Sequence, residues 1–483
     1  MKGPRRLLLA VLALVLAVNL LVGYRVYSAE AERTGENEAF EKISIMMQVL
    51  YLIRKDYVNA AKISYQDLIY NAMHGMVRSL DPFSDFMPPE QYDSMVETTE
   101  GEFGGLGIIV SPKDEMLTIV APIDGTPGSR AGLQAGDQII KIDGEPTKGA
   151  KLNDAIRRLR GAPGTKVTLT IHRPATQETR DYVIERDKIP VYTVKDGKVL
   201  PGTRIGYVRV TQFSDPTADE LRQALEKLEK EGVDSLVIDL RNNPGGLLQS
   251  AVEICSYFLE PNTLIVSTEG RQPSQKREFR TEKRGYKVSK KPLALLLNGG
   301  SASAAEIMGG CLKDWGRAIL VGEKTFGKGS VQNVIPLSDG SALRLTTAMY
   351  YTPSRQVIHE HGIAPDIEVA LTPQEYRAVF ESEDLHLPDP SPADRQLQRA
   401  VEVLKSYDVY LKGSQGKFRT LRQSAEATAP PPEEAESAAE GTTVPGEDLK
   451  PKKEREKEKE KEKEKEKEKE PGKEPKQEQE DKP

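Results

Sequence analysis

Two serines, Ser301 and Ser303, lie where a predicted buried strand gives way to a predicted helix. The strand is the apolar run Leu293–Leu297, which Asn-Gly-Gly follows, and the helix runs from about Ser301 to Trp315. A helix N-terminus offers free backbone N–H groups and a positive dipole end, and both would stabilise an oxyanion beside a nucleophilic hydroxyl. Because serine is also a common helix cap, this position alone does not establish a nucleophile.

A lysine in a glycine-rich loop is the candidate base. Lys328 lies in the segment GEKTFGKGSVQ, residues 322–332, outside any amphipathic pattern. A serine hydroxyl needs a base to attack an amide, and lysine can act as one only if its surroundings lower its pKa. The chemistry alone does not distinguish Lys328 from Lys324, and a loop lysine is usually a solvated charge.

Three regions of different periodicity contain or precede these segments. Helical periodicity marks residues 39–57 and 65–80, and it ends at Asp81, where the following proline disfavours helix. Short strands separated by glycine turns, with one helix at 152–159, predict a separate β-rich domain between about 96 and 186. From Arg204 onward strands and helices alternate, which predicts an α/β layer with parallel strands. In that layer the segment DLRNNPGG follows an apolar strand and precedes a helix. This position by itself is also that of an ordinary strand-to-helix turn.

The composition argues against several classes of protein. The chain has 74 acidic and 68 basic residues and a net charge of -6, so it lacks the positive excess of a nucleic-acid-binding protein. Two cysteines, Cys255 and Cys311, lie in predicted helices, where a buried thiol is the usual explanation; a single disulfide between them stays open. Five histidines without HExxH, and no CxxC, indicate no metal site, and we expect no cofactor.

The two ends of the chain are predicted to lie outside the folded domains. Basic residues precede the apolar run Leu7–Val22, which is the order of an export signal. We therefore expect an extracytoplasmic protein, in the periplasm or on the outer face of the cytoplasmic membrane. No clean cleavage site follows, so the sequence leaves open a cleaved signal or a membrane anchor. From about Ser424 the chain is charged and poor in apolar residues, which predicts disorder.

Four strings resemble the motifs of one protease family. NGGSASAAEI and GEKTFGKGSVQ, with DLRNNPGG upstream and HGIAPDIEV downstream, are similar to those of the carboxyl-terminal processing (tail-specific) serine proteases. The resemblance runs in order from about Ile43 to about Ala370 and includes GMVRSLDPFS before the β-rich domain. It implies a protease core with the family's crotonase-like β-α superhelix, and endopeptidase action near the C-termini of protein substrates.

The resemblance also implies roles for individual residues. The nucleophile is the second serine of its motif, Ser303, and the general base is Lys328, 25 residues later. Gln332, four residues after the lysine, would support the base; if residues 328–332 were helical, both side chains would share one face. Ala305 stands where many members of the family have serine, and it lies outside the dyad.

An oxyanion hole is implied by the same motifs. The amide of Ala304 would give one N–H group, and Gly245 or Gly246 would give the other, because a residue without Cβ lets the backbone approach a tetrahedral intermediate. The spacing does not show which glycine.

The β-rich domain resembles a PDZ domain in the strings GGLGII, residues 104–109, and SRAGLQAGD, residues 129–137. In PDZ domains a GLG-type loop presents backbone N–H groups to a peptide's terminal carboxylate, and the peptide adds as a strand to the sheet edge. The predicted substrate contacts are Leu106, Gly107, Ile108 and Ile109. The expected partners are therefore protein or peptide substrates, bound through their C-termini.

The predicted fold is an α/β mosaic in which a PDZ domain is inserted before a protease core. Its segments are a signal or anchor (1–28), an N-terminal helical region (29–95), the PDZ domain (96–187), the serine protease core (188–372), a C-terminal helical region (373–423) and a disordered Lys/Glu-rich tail (424–483). The first segment makes the membrane a predicted partner. The oligomeric state is not readable from the sequence, and a homo-oligomer stays open.

Two other functions stay open. A PDZ-containing scaffold or adaptor of the cell envelope would carry an inactive protease core, but Ser303, Lys328 and Gln332 are all present, which argues against it. A histidine-dependent hydrolase would use His359 or His361. Their segment matches the family's closing GIxPD pattern, which favours a structural or surface role for both.

Overall fold

The computed structural model describes five stretches of the chain: 39–59, 64–113, 116–282, 289–380 and 394–406. All of them belong to Met1–Gln423, the first of two units into which the chain divides. The predicted signal or anchor and the predicted disordered tail lie outside the described residues. Among the helices that are described, none is both long enough and apolar enough to cross a membrane.

The N-terminal helical region ends by adding a strand to the protease core. Its elements are α1 (39–56), α2 (Tyr65–Arg78), β1 (Asp85–Met87) and α3 (Pro89–Glu100). Helix α2 begins after Ser64, whose hydroxyl accepts a hydrogen bond from the Asp67 amide at 2.9 Å and so caps the helix. Helix α3 ends at Gly101, whose φ of +70° is the left-handed conformation that glycine adopts at low cost.

The β-rich domain is an antiparallel sheet with two helices. Its elements are β2 (Glu102–Gly105), β3 (Ile108–Lys113), β4 (Met116–Pro122), α4 (Pro127–Arg130), β5 (Gln138–Ile142), β6 (Glu145–Pro146), α5 (Leu152–Leu159), β7 (Lys166–Arg173), β8 (Glu178–Glu185) and β9 (Asp187–Pro190). The main sheet has the order β3-β4-β5-β7-β8, with β6 on β5, and its strands alternate apolar residues toward one buried cluster. Strands β2 and β9 pair, so the chain enters and leaves this domain side by side.

The protease core contains the remaining elements. They are β10 (Val194–Val199), β11 (Ile205–Val210), α6 (Thr217–Lys230), β12 (Ser235–Asp239), α7 (Leu248–Ser256), β13 (Leu264–Gly270), β14 (Arg277–Arg280), β15 (Leu293–Leu297), α8 (Ala304–Asp314), β16 (Ile319–Gly322), β17 (Ser330–Pro336), β18 (Ala342–Tyr351), β19 (Ile367–Glu368), α9 (Pro373–Phe380) and α10 (Arg395–Lys405). The strands form a six-stranded and a five-stranded sheet.

In the six-stranded sheet, the segments DLRNNPGG and NGGSASAAEI follow strands β12 and β15. Its order is β10-β11-β12-β15-β16-β19, and every pair is parallel except β10 with β11. Strands β12 and β15 are buried along their whole length because helices cover both faces of the sheet. Alternate residues pack against α6, α7 and α8 on one face and against α10 on the other. The loops after β12 and β15 therefore leave the same edge of the sheet side by side.

The five-stranded antiparallel sheet connects distant parts of the chain. Its order is β1-β18-β13-β14, with β17 also paired to β18. Residue Phe86 in β1 lies opposite Leu343 in β18, so the N-terminal region is built into the core. This sheet follows the Lys328 loop directly, through β17.

Candidate active site

Ser303 lies at the first turn of α8 in a strained conformation. The helix begins at Ala304 rather than near Ser301, and Ser303 is its N-cap with φ 55° and ψ -113°. A positive φ is unusual for a residue with a Cβ, and it persists only where the surrounding structure enforces it. Such strain in a half-buried serine is typical of functional sites.

Ser301 is a structural serine. Its side chain is fully buried, and its hydroxyl donates to the Leu240 carbonyl at 2.7 Å and accepts from the Asn298 amide at 3.0 Å. The bond to Leu240 joins the loop after β15 to the end of β12, and the bond from Asn298 closes that loop on itself. The Ser301 hydroxyl is therefore occupied, whereas Ser303 is the half-buried member of the pair.

One buried carboxylate connects the serine to the lysine loop. Glu306 is 0 % exposed, and its Oε2 accepts hydrogen bonds from the backbone amides of Ser303 and Lys328, both at 2.8 Å. Its Oε1 accepts from Thr325 Oγ1 at 2.5 Å and from the Gly327 amide at 2.7 Å. The sequence analysis assigned no role to Glu306. The signal was present, because Ser303 and Glu306 have the Ser-x-x-Glu spacing of a capping box.

Lys328 has the surroundings that a lysine base needs. Its side chain is half-buried in the loop before β17, and its Nζ lies 5.2 Å from the centre of the Phe83 ring. Burial lowers the pKa of Lys328, the positive charge of Arg344 lowers it further, and the Glu306 carboxylate opposes both effects. In the part of the chain that the structure describes, Lys328 Nζ and Ser303 Oγ are not hydrogen-bonded to each other. Catalytic hydrogen bonds are often long without substrate and tighten in the complex.

Gln332 does not lie on a helix with Lys328. The helical arrangement considered for residues 328–332 is wrong, because Gln332 belongs to strand β17 and lies opposite Thr346 of β18. Its side-chain amide donates to Ser330 Oγ at 2.8 Å. Backbone pairing with β18 has overridden the i,i+4 spacing that suggested one helical face.

The loop after β12 is fixed by buried charges. Arg241 is 1 % exposed; its guanidinium contacts Asp239 at 2.6 Å and Asp394, at the N-terminus of α10, at 2.8 Å. Burial alone would raise the pKa of Asp239, but the charge and hydrogen bonds of Arg241 outweigh it, so the pKa is lowered. Both charges are therefore paired in the interior, as buried charges must be. This network holds the start of the Asn-Asn-Pro-Gly-Gly turn.

The two glycines of this turn have different neighbours. A Cβ on Gly245 would lie 2.7 Å from Ser303 Cβ and 2.8 Å from the Ala304 nitrogen, and the φ of Gly245 is +94°. A Cβ on Gly246 would instead lie 1.9 Å from the Phe213 carbonyl oxygen. Gly245 is thus the glycine that lies against the serine. Its amide donates to Asn243 Oδ1 at 2.8 Å.

The predicted carboxylate loop lies at the start of an edge strand. Leu106 is buried and Ile109 is 52 % exposed, while Gly107 has φ +67° and packs against Thr126. The Leu106 carbonyl accepts from the Gly128 amide at 2.7 Å, which fixes the loop on α4. Strand β3, which begins at Ile108, is at one end of the described sheet. An edge strand has backbone groups available for an added strand.

His359 lies near the candidate base, on the Phe83 ring, whereas the two cysteines are buried in helices. The ring of His359 makes an edge contact with Phe83. The His359 backbone carbonyl accepts a hydrogen bond from His361 Nδ1 at 2.7 Å, and neither histidine is hydrogen-bonded to Ser303. Cys255 and Cys311 are free thiols buried in α7 and α8. No cluster of three or more metal-ligating side chains occurs in the described stretches.

The site has the parts of a serine peptidase: a strained serine at a helix N-terminus, a half-buried lysine of lowered pKa, and a glycine turn against the serine. Comparisons with known proteins agree. Residues 204–369 match peptidase family S41, and residues 118–173 match a PDZ domain.

Several characterised proteins are similar over most of this chain. A carboxy-terminal-processing protease of Bartonella bacilliformis is 40% identical over 378 residues, covering 77% of this chain and 85% of that one. The carboxy-terminal processing protease CtpA of Bacillus subtilis is 37% identical over 366 residues, which is 76% of each chain. Among solved structures, a photosystem II D1 C-terminal processing protease is 30% identical, with a TM-score of 0.38, over 67% of this chain and 92% of that one.

The chain is a serine-type peptidase with a peptidase S41 core, a PDZ domain and mixed helices and sheets. It belongs to the carboxyl-terminal processing serine protease family. The family and the enzyme class that the motifs predicted are both confirmed.

Proposed function

We propose that this peptidase cleaves protein substrates near their C-termini through an acyl-enzyme formed on Ser303, with Lys328 as the general base. The observation that carries this proposal is the Glu306 carboxylate, which accepts hydrogen bonds from the backbone amides of Ser303 and Lys328. One rigid group thereby sets the position of nucleophile and base together. The relatives are named carboxyl-terminal processing proteases, which supports cleavage near the C-terminus.

The proposed mechanism has two proton-transfer cycles. Neutral Lys328 Nζ takes the proton of Ser303 Oγ as this oxygen attacks the scissile carbonyl, and the resulting ammonium gives the proton to the leaving amine. Lys328, neutral again, then takes a proton from water as the water attacks the acyl-enzyme, and returns it to Ser303 Oγ when the ester bond breaks. Burial and Arg344 lower the pKa of Lys328, which increases the neutral fraction that the first step needs. Gln332 would support the base through its side-chain oxygen Oε1, which would accept a hydrogen bond from Lys328 Nζ while Nε2 donates to Ser330 Oγ.

The proposed oxyanion hole consists of the amides of Ala304 and Gly245. Gly245 is favoured over Gly246 because it lies against Ser303, whereas Gly246 packs on the backbone of Phe213. The Gly245 amide now donates to Asn243 Oδ1, so that bond has to be released when the oxyanion forms. Two donors aimed at the developing charge would lower the barrier to acyl transfer.

The PDZ domain is proposed to bind the substrate's C-terminus. The backbone N–H groups of Leu106, Gly107 and Ile108 would donate hydrogen bonds to the terminal carboxylate. The peptide would pair with the edge of β3, where Ile109 is exposed. Leu106 and Ile108 offer no polar group to a side chain, so a small or apolar last residue is expected.

The remaining proposals concern architecture and location. The strand and helix units from β11 to α7, and from β15 to β16, support the crotonase-like β-α superhelix of the family for this core. The basic residues and apolar run at the N-terminus support export and a membrane contact. A reporter enzyme that works only outside the cytoplasm, fused after residue 40, should be active; activity only from a cytoplasmic reporter contradicts export.

The dyad is tested by single substitutions in the full chain. Ser303→Ala, Lys328→Ala and Lys328→Arg should each abolish cleavage of an unfolded protein substrate. The alanine variants lack the nucleophile or the base, and the guanidinium of Lys328→Arg cannot serve as a base near neutral pH. Lys324→Ala, in the same loop but exposed, is the matched control and should keep the wild-type rate. Ser301→Ala should keep a measurable rate.

Other results of these experiments would favour a histidine-dependent hydrolase or an inactive scaffold. Cleavage by either Lys328 variant at a near wild-type rate contradicts the mechanism, and loss in His359→Ala instead would favour a histidine base. A wild-type protein that neither cleaves nor reacts with a fluorophosphonate probe would favour a scaffold.

A further inference from the structure

The segment 81–87 brings an aromatic ring to the catalytic lysine from the far end of the chain. Phe83 is half-buried, and the centre of its ring lies 5.2 Å from Lys328 Nζ. The ring also makes an edge contact with His359, at 6.1 Å between ring centroids. The sequence analysis noted this segment, which contains Asp-Pro-Phe-Ser, but gave it no function.

The segment is held rigidly against the core. Asp81 Oδ1 accepts hydrogen bonds from the amides of Phe83 and Ser84, each at 2.8 Å, and so closes a tight turn around Phe83. Ser84 Oγ accepts from the Thr346 amide at 3.0 Å, and β1 pairs with β18 immediately afterwards. These bonds fix the backbone at Phe83, from which the ring extends to the lysine.

The same segment also holds a positive charge near the lysine. Arg344 in β18 donates from Nε to the Phe83 carbonyl at 3.1 Å, and its Nη2 lies 3.7 Å from Asp85 Oδ2. Asp85 in turn contacts His74 at 2.7 Å and Arg78 at 3.8 Å. The charged groups that act on Lys328 are thus Arg344, which disfavours the ammonium form, and Glu306, which favours it.

We propose that Phe83 and Arg344 are positioning residues for Lys328: the Phe83 ring covers the amine against water, and the Phe83 carbonyl and Asp85 hold the Arg344 guanidinium on the same side of the site. The inference rests on the proposed function of Lys328. It gives the N-terminal region a part in catalysis, because without the segment 81–87 the ring would be absent and the guanidinium would lose its anchors, the Phe83 carbonyl and Asp85.

Two effects of the ring have opposite signs. An aromatic face attracts an ammonium, and this attraction raises the pKa of the amine. Excluding water lowers the pKa, by up to about 3–5 units for full burial. Burial is the largest influence on the pKa of Lys328. At 5.2 Å from Nζ, the ring centre is near the distance limit for effective attraction of an ammonium. Removing the ring should therefore raise the pKa of the lysine.

The test is the pH dependence of Ser303 acylation by a fluorophosphonate probe, measured with the full chain. The wild-type rate rises with pH as Lys328 loses its proton. In Arg344→Gln the rise should move to higher pH by about one unit, because a like charge has been removed. Labelling below the rise should then slow about tenfold, and labelling at high pH should recover. Phe83→Ala should move the rise in the same direction.

Conservative variants separate this effect from damage to the fold. Arg344→Lys keeps the charge and Phe83→Leu keeps an apolar cover, so both should leave the rise within a few tenths of a pH unit of the wild type. A rate lowered equally at every pH in Arg344→Gln and Phe83→Ala shows a structural role and overturns the inference. An unmoved profile with an unchanged rate overturns it as well.

Lys328→Ala separates this inference from the function on which it rests. If Lys328→Ala keeps the wild-type labelling profile, Lys328 is not the base and the proposed function fails. If Lys328→Ala abolishes labelling while the profiles of Arg344→Gln and Phe83→Ala stay unmoved, the dyad stands and only the present inference fails.

Discussion

The PDZ domain and the protease core bury their polar groups in different ways. The PDZ domain is organised around one apolar cluster, and its most buried ion pair, Asp137 with Arg173, has an arginine side chain that is 19% exposed. In the core, by contrast, both members of the Asp239–Arg241 pair are no more than 1 % exposed, and so is Glu306 beside the proposed catalytic loops, whereas in the PDZ pair only Asp137 is buried to that degree.

The difference shows what each region requires. A binding domain needs a stable sheet with an available edge, and alternating apolar residues provide it. A catalytic site needs several loops held in one arrangement, and hydrogen bonds to buried charged groups fix geometry more strictly than apolar contacts do. The core should therefore be far more sensitive than the PDZ domain to the loss of a single charge.

The largest effect is expected from Glu306→Gln. The amide keeps the shape of the carboxylate, but its NH2 group would face backbone N–H donors, and each unmet buried donor costs about 1–3 kcal/mol. Proteolysis should fall by at least about a hundredfold, because nucleophile and base lose their common anchor. Glu229→Gln, on an exposed face of α6, is the control and should match the wild type in rate and unfolding temperature. A Glu306→Gln enzyme with normal activity would show that the carboxylate does not position the dyad.

The next effect compares the two buried ion pairs directly. Asp394→Asn leaves Arg241 with one carboxylate instead of two, and breaking a buried pair costs about 3–5 kcal/mol. Asp137→Asn should be milder, because Arg173 reaches solvent and can be hydrated. Calorimetric unfolding of the two variants measures this, with proteolysis lowered only in Asp394→Asn. Equal destabilisation by both substitutions would remove the distinction between the two regions.

Substituting one glycine in each region compares the core and the PDZ domain at the level of the backbone. Gly245→Ala places a Cβ against Ser303 at a φ of +94°, so the serine or the turn must move, and activity should fall by about tenfold or more. Gly136→Ala in the PDZ domain has φ +88° but open space around the added Cβ. It should lower stability by only about 1–2 kcal/mol, through backbone strain, and leave activity unchanged. Comparable activity losses in the two variants would mean that strain, not contact with the serine, is decisive.

The smallest effect concerns the PDZ loop alone. A peptide with an amidated C-terminus has lost its charge and one acceptor oxygen, so it should bind about 1–3 kcal/mol more weakly than the matched free acid. Calorimetric titration of the Ser303→Ala protein with both peptides measures the difference without cleavage. Equal binding removes the carboxylate-loop assignment. Equal cleavage of the two peptides by the active enzyme, despite unequal binding, would show that the PDZ domain does not select substrates.

The sequence predicted elements whose signal is local. The strands at 205–210, 235–239 and 293–297 and the helix at 152–159 lie at the predicted residues. Buried parallel strands give continuous apolar runs, and an amphipathic helix gives its own period, so neither needs knowledge of distant partners. The five-stranded antiparallel sheet was not predicted. Its strands β1 and β18 pair across more than 250 residues, and both are only partly buried.

For the site, the sequence alone determined which residue types stand in the motifs, and the resemblance of those motifs led to Ser303, Lys328 and the family. Tertiary structure decided how they are held. Glu306 reaches the lysine loop only because α8 and β17 follow neighbouring loops, and Gln332 joins a strand because β18 lies beside it. Asp394 meets Arg241 across 153 residues, and Phe83 meets Lys328 from the other end of the chain. Such contacts leave no periodicity in the sequence, because they depend on where separate elements pack.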